Sequence, residues 1–194
     1  PPMVFQQRGA DVLALPGRAP AAQPTAVAAT GGERHAAGAE PHLRRAVEIE
    51  LRHPEMAPVP LALLLWARLL LRGGDLGGAR RRLDEFQAGL ARARALEWTG
   101  ADPGPSESVL ADMVDLATRD AADAEWEALL SRSARDSVEQ EPIEVLEVRG
   151  RAALRAGRPQ EARKALEQAL RLCQRIPNLL EPRVRAAMSE VGRA

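Results

Sequence analysis

A chain of 194 residues is long enough for one ordinary domain with its own core and short for two. Its 27 basic residues balance 27 acidic ones, so bulk charge offers no attraction to nucleic acid or to an anionic membrane surface. Aromatics are 3 % of the chain and tyrosine is absent, which leaves Leu, Ala and Val to build a core and favours closely packed helices.

Cys173 is the only cysteine, so neither a disulfide framework nor a cysteine metal cluster is expected, and a reducing cytoplasm is the expected location. The longest apolar run, residues 61–67, ends at Arg68 and is too short to cross a bilayer. Lys164 is the only lysine among the cations. Coding bias toward Ala, Arg, Gly and Pro accounts for that better than bidentate anion recognition does. The chain opens on Pro1 rather than Met, as either a piece of a longer chain or a chain with added leading residues would.

Residues 1–38 are rich in Pro, Ala and Gly and read as an arm or linker, with a short helix near residues 4–15. Pro16, Pro20, Pro24, Gly31 and Gly32 would interrupt anything longer, while Val12, Leu13 and Leu15 could pack back on the domain. Helical periodicity begins with the expected domain, residues 39–194. A first helix runs to about His53, with Pro41 in its first turn and Leu43, Ala46, Val47 and Leu51 on one face. Pro54, Pro58 and Pro60 separate it from a second helix over 61–72, which Gly73 and Gly74 stop. Asp75 is placed to cap a third helix through Leu83, Phe86 and Leu90 to about Leu96.

After a Gly/Pro loop at 99–105, Ser106 is expected to cap a helix carrying Val109, Leu110, Met113 and Leu116. Asp120 is expected to cap the next, with Ala122, Trp126, Leu129 and Leu130 on its apolar side. Pro142 opens a helix to about Ala156, Arg158-Pro159 opens one to about Arg175, and a last helix covers about 180–191. No segment reads as a strand, so the expected class is all-α.

Self-similarity carries more information than any single element. Gly150, Ala153, Gly157, Ala162, Leu166 and Ala169 form a frame in which a glycine turn joins two helices. Ala67, Leu70, Gly74, Ala79, Leu83 and Phe86 repeat it, and Leu110, Met113, Ala117, Ala122, Trp126 and Leu129 repeat it without the turn glycine. Ala39, Leu43 and Ala46 match the second helix of a preceding unit. The first small residue of each second helix is thus Ala39, Ala79, Ala122 or Ala162, spaced by 40, 43 and 40 residues. It must be small where the helices of a hairpin cross, and the bulky residue four later fills the gap to the next hairpin.

This frame resembles the tetratricopeptide repeat over residues 40–174, most closely in the last unit. It departs from the family at Arg149, where a large apolar residue is usual, and at Leu70, Met113 and Ala153, where helix A usually carries an aromatic. Its spacing exceeds the roughly 34 residues of that repeat. In this it is similar to the longer repeats of bacterial signal-transduction ATPase regulators, where such a domain lies between a nucleotide-binding and a DNA-binding module.

The resemblance implies a right-handed superhelical stack of about three antiparallel hairpins with a C-terminal capping helix. It also implies a non-catalytic scaffold that binds another protein or peptide on its concave face. The alternative is the effector-binding segment of a multidomain regulator, with another domain of the same parent chain as its partner. A homo-oligomer is compatible with both, and neither needs nucleic acid, membrane or cofactor. Carried over residue by residue, the concave face takes Leu64, Arg68, Leu71 and Arg72, then Glu107, Ala111, Val114 and Asp115, then Glu147, Arg151, Leu154 and Arg155. Arg68, Arg72, Arg151 and Arg155 occupy matching frame positions and suit an acidic or C-terminal-carboxylate ligand as well as they suit an ordinary solvated helix face.

Catalytic motifs are missing from the sequence: it has no nucleophile elbow, phosphate loop or H-E-x-x-H. The glycines of residues 73–78 are accounted for by a hairpin turn. His42 and His53, eleven residues apart on a helix, would be separated by about 16 Å, too far for one metal. Glu139, Glu141, Glu144 and Glu147 read as a solvated face or a helix start complementing the dipole. Leu83, Trp126, Leu129, Ala162 and Leu166 are the expected core between helices.

Overall fold

The computed structural model describes residues 31–53, 59–97, 104–119, 121–136, 140–176 and 179–193. Among these residues every regular element is a helix. They are α1 (Gly31–Arg52), α2 (Leu61–Gly73), α3 (Leu76–Ala95), α4 (Pro105–Thr118), α5 (Asp123–Asp136), α6 (Glu141–Arg155), α7 (Pro159–Cys173) and α8 (Glu181–Val191). Each helix packs on the next, and α2 also meets α4, α4 meets α6 and α6 meets α8. The even-numbered helices therefore form one row and α3, α5 and α7 lie behind it.

Helix α1 starts at Gly31, before the boundary expected near residue 38, so the two glycines read as interruptions form its first turn. Pro41 lies inside that helix rather than at its start and leaves one backbone bond unmade, because proline has no N–H to donate. Residues 1–30, with the short helix and apolar residues expected there, fall outside the described residues, as does Asp120.

Two turns show how the chain enforces its hairpins. Gly74 and Gly157 both adopt the left-handed conformation, with φ of 83° and 72°. The Gly74 N–H donates to the Leu71 carbonyl and the Asp75 N–H to that of Leu70; Gly157 donates to Leu154 and Arg158 to Ala153 in the same pattern. Each turn thus satisfies the carbonyls that the helix end leaves open. The Asp75 carboxylate then accepts from the Gly78 N–H at 2.8 Å and caps α3 as expected. Helix α4 begins one residue before Ser106, so Ser106 is no cap and its hydroxyl serves elsewhere.

The core lies where the helices cross. Leu83, Trp126, Leu129, Ala162 and Leu166 are all buried, as expected. At Gly150 a Cβ would come within 2.7 Å of the Leu166 side chain, so only glycine allows α6 and α7 to approach this closely. In α5 the frame slips. Ala122 is exposed and precedes the helix, while Trp126 occupies the fourth position that Ala79 fills in α3 and Ala162 in α7. An indole is too large for a tight crossing, and α4 and α5 accordingly pack less extensively than α2 and α3 or α6 and α7.

Two cross-helix contacts bind the first three helices. Glu50 of α1 accepts the Ala62 N–H of α2 at 3.0 Å, supplying the cap that Pro60 cannot; burial holds its carboxyl above the usual range, an effect that the Ala62 bond partly offsets. The Arg82 guanidinium of α3 stacks 3.8 Å over the Trp66 ring of α2, a cation–π contact.

Candidate functional site

Leu61, Leu65, Arg68 and Arg72 recur at four-, three- and four-residue steps and so share one stripe of α2. Leu61 and Leu65 are 53 % and 60 % exposed. The α6 side is different: Glu141, Glu144 and Glu147, three residues apart, are only 1 %, 2 % and 0 % exposed. The solvated face expected there is therefore corrected, since carboxylates reach such burial only when paired. The other account, a helix start complementing the dipole, fits Glu141 and Glu144, which stand in the first turn of α6; Glu139 lies outside the described residues.

Their partners come from both neighbouring ends of the row. Arg68 of α2 donates through Nη2 to Glu141 Oε1 at 2.8 Å, with its Nε 3.5 Å from Glu144. Arg72 donates through Nε to Glu144 Oε1 at 2.7 Å. Ser106 of α4 reaches the second oxygen of Glu141 at 3.3 Å. On the other side, Arg183 of α8 lies 2.8 Å from Glu147, and Arg151 donates to Glu147 at 3.1 Å while standing 3.4 Å from Glu190. Burial pulls Arg183 below the usual arginine range, and the charges acting on it are those of Glu147, Arg72, Glu144 and Arg151. Arginines from α2, α6 and α8 thus converge on one row of three carboxylates.

Of the site residues read from sequence, Arg68, Arg72, Glu147 and Arg151 meet in this network. Arg155, one turn beyond Arg151, is exposed and has no ion-pair partner among the described residues. Leu64 and Leu71 are corrected to core residues: the carried-over face is rotated, and the outward stripe of α2 takes Leu61 and Leu65 instead. Val114 is likewise fully buried. Asp115 lies apart from the network, pairing with Arg80 of α3 at 2.7 Å and Arg119 at 2.9 Å, which hold its carboxyl below the usual range. Arg149, the unexpected residue before Gly150, binds Glu127 and Asp123 of α5, so its charge is matched across helices.

Ser106, Glu141, Glu144, Arg183 and Glu190 were not assigned to the site from sequence. The acidic spacing on α6 was the available signal for two of them; the others pair across helices and leave no local pattern. Among the described residues no group of three His, Cys, Asp or Glu is placed to hold a metal ion, and no helix is long and apolar enough to cross a membrane.

A family model for the tetratricopeptide repeat matches residues 143–176, which span most of α6, all of α7 and the glycine turn between them. No curated protein and no solved structure matches the chain. With that match in the last hairpin and the same turn built into α2–α3, the chain is a tetratricopeptide-like helical repeat protein.

Proposed function

We propose that the chain is a non-catalytic scaffold that binds a protein or peptide on the concave face of a right-handed superhelical stack. In this reading α2–α3, α4–α5 and α6–α7 are the three hairpins, α8 is the cap, and α2, α4 and α6 line the face. The observation that carries it is the α2 stripe, where two exposed leucines adjoin two arginines on a row of helices whose other large apolar side chains are mostly buried. Tetratricopeptide repeats in general mediate protein–protein contacts, and a stripe of this make-up fits a segment with apolar and acidic residues side by side. Arg155, which has no ion-pair partner among the described residues, adds a cation at the far end of α6.

Photo-crosslinking tests the location. A benzoylphenylalanine at Leu65 should capture a partner in lysate of the source cell, whereas the same group at Lys164, exposed on α7, should not. Adducts at Lys164 alone would put binding on the opposite surface.

A further inference from the structure

Carboxylates on a helix ordinarily face water, yet α6 buries three in succession. Burying an ion pair costs desolvation that its attraction roughly returns, so these pairs add little stability over apolar residues of the same size. Their effect is on access. Arg68 and Arg72 keep 25 % and 36 % of their side-chain surface in solvent while Glu141 and Glu144 keep almost none, so the arginines are the half a solute can reach. The α2 stripe is open and apolar at Leu61 and Leu65, then closed one turn later by groups of the chain itself.

We propose that Glu141 and Glu144 are a built-in competitor for the α2 arginines, and that an acidic segment of the partner opens the face by displacing them. This rests on the concave-face reading above and adds its regulation. The exchange trades one set of arginine–carboxylate contacts for another, so charge pairing alone gives the partner little advantage. Contact with Leu61 and Leu65 supplies the difference, and a partner that has only acidic residues, or only apolar ones, binds the parent more weakly than one that has both. Ser106 holds Glu141 from the α4 side, so opening also frees α6 from α4 at that point.

The test uses hexaglutamate as probe and the Glu141→Gln/Glu144→Gln variant, with helicity checked by circular dichroism. Removing the competitor should tighten hexaglutamate binding at least tenfold over the parent, and the Nε–H resonances of Arg68 and Arg72 should shift saturably with it. Affinity within twofold of the parent, or tightening with those resonances unmoved, would overturn the proposal. Glu144→Gln alone keeps the Arg68–Glu141 bond and should give an intermediate gain, which decides the matter if the double variant loses helicity. An adduct at Leu65 with unchanged hexaglutamate affinity removes the competitor and leaves the binding face standing. Tightened hexaglutamate binding with adducts only at Lys164 does the reverse.

Discussion

The hairpins α2–α3 and α6–α7 are built alike, and α4–α5 between them is not. Both outer hairpins turn through a left-handed glycine, repeat the same pair of backbone bonds, and place a fully buried alanine, Ala79 or Ala162, at the crossing. The middle hairpin has no turn glycine and puts Trp126 where the alanine belongs. The difference shows that the turn and the small residue work together: a tight glycine turn brings the helices into register, and a small side chain lets them stay close. Where both are lacking, the helices pack over a smaller area, and ion pairs such as Arg149 to Glu127 contribute to the join with the next hairpin.

The largest effect should come from the network that ties the two like hairpins to each other across the unlike one. Arg68→Ala/Arg72→Ala removes the α2 arginines that pair with the buried Glu141 and Glu144 and should cost about 3–5 kcal/mol in denaturant melts. Adding Glu141→Leu/Glu144→Leu should recover most of that loss. If the four-fold variant is no more stable than the double one, the carboxylates are not the source of the penalty.

Next in size is the crossing itself. Ala79→Leu and Ala162→Leu should each overpack a hairpin and cost roughly 1–3 kcal/mol, whereas Ala122→Leu, at an exposed site, should stay within about 0.5 kcal/mol. Equal losses at all three positions in thermal melts would erase the distinction between the hairpins. The turn glycines come third. Neither Gly74 nor Gly157 has an atom within 4 Å of a built Cβ, so alanine there is penalised only through the backbone, by about 1–2 kcal/mol, and equally in both hairpins. The smallest effect separates the two like hairpins. Asp75→Ala removes a cap from α3 worth about 1 kcal/mol, and α7, whose N-cap Arg158 makes no side-chain cap bond, has no equivalent to lose. Helix-resolved hydrogen exchange would show the loss confined to the start of α3.

The sequence was most legible where a feature is local. Turn glycines, the Asp75 cap and the alternation of apolar residues fixed α2, α3, α6 and α7 nearly to their ends, because each depends on neighbours within a few residues. It misled at Ala122, since residue identity alone cannot say whether an alanine begins a helix or precedes it, and at Ser106, a good capping residue whose hydroxyl instead meets Glu141. The acidic row of α6 was visible, but its burial was not: the arginines that make it tolerable lie more than seventy residues away for α2 and more than thirty for α8. A frame carried over from a family also fixes rotation only to about one residue in the turn, which is how Leu64 and Leu71 were placed on a face that Leu61 and Leu65 occupy.

The distance that hid the network from the sequence also sets when it forms. Arg72 and Glu144 are 72 residues apart, and closing a chain of that length costs roughly 4 kcal/mol of entropy in the length-dependent part alone. Hairpins closed by turns of two to four residues are expected to form before such a contact, which places the bond between α2 and α6 after the folding barrier. An interaction absent from the transition state leaves the folding rate nearly unchanged and acts on the rate of unfolding. The bonds from Arg68 and Arg72 are therefore expected to work as a latch: in stopped-flow measurements, removing them should speed unfolding and leave the folding rate nearly unchanged.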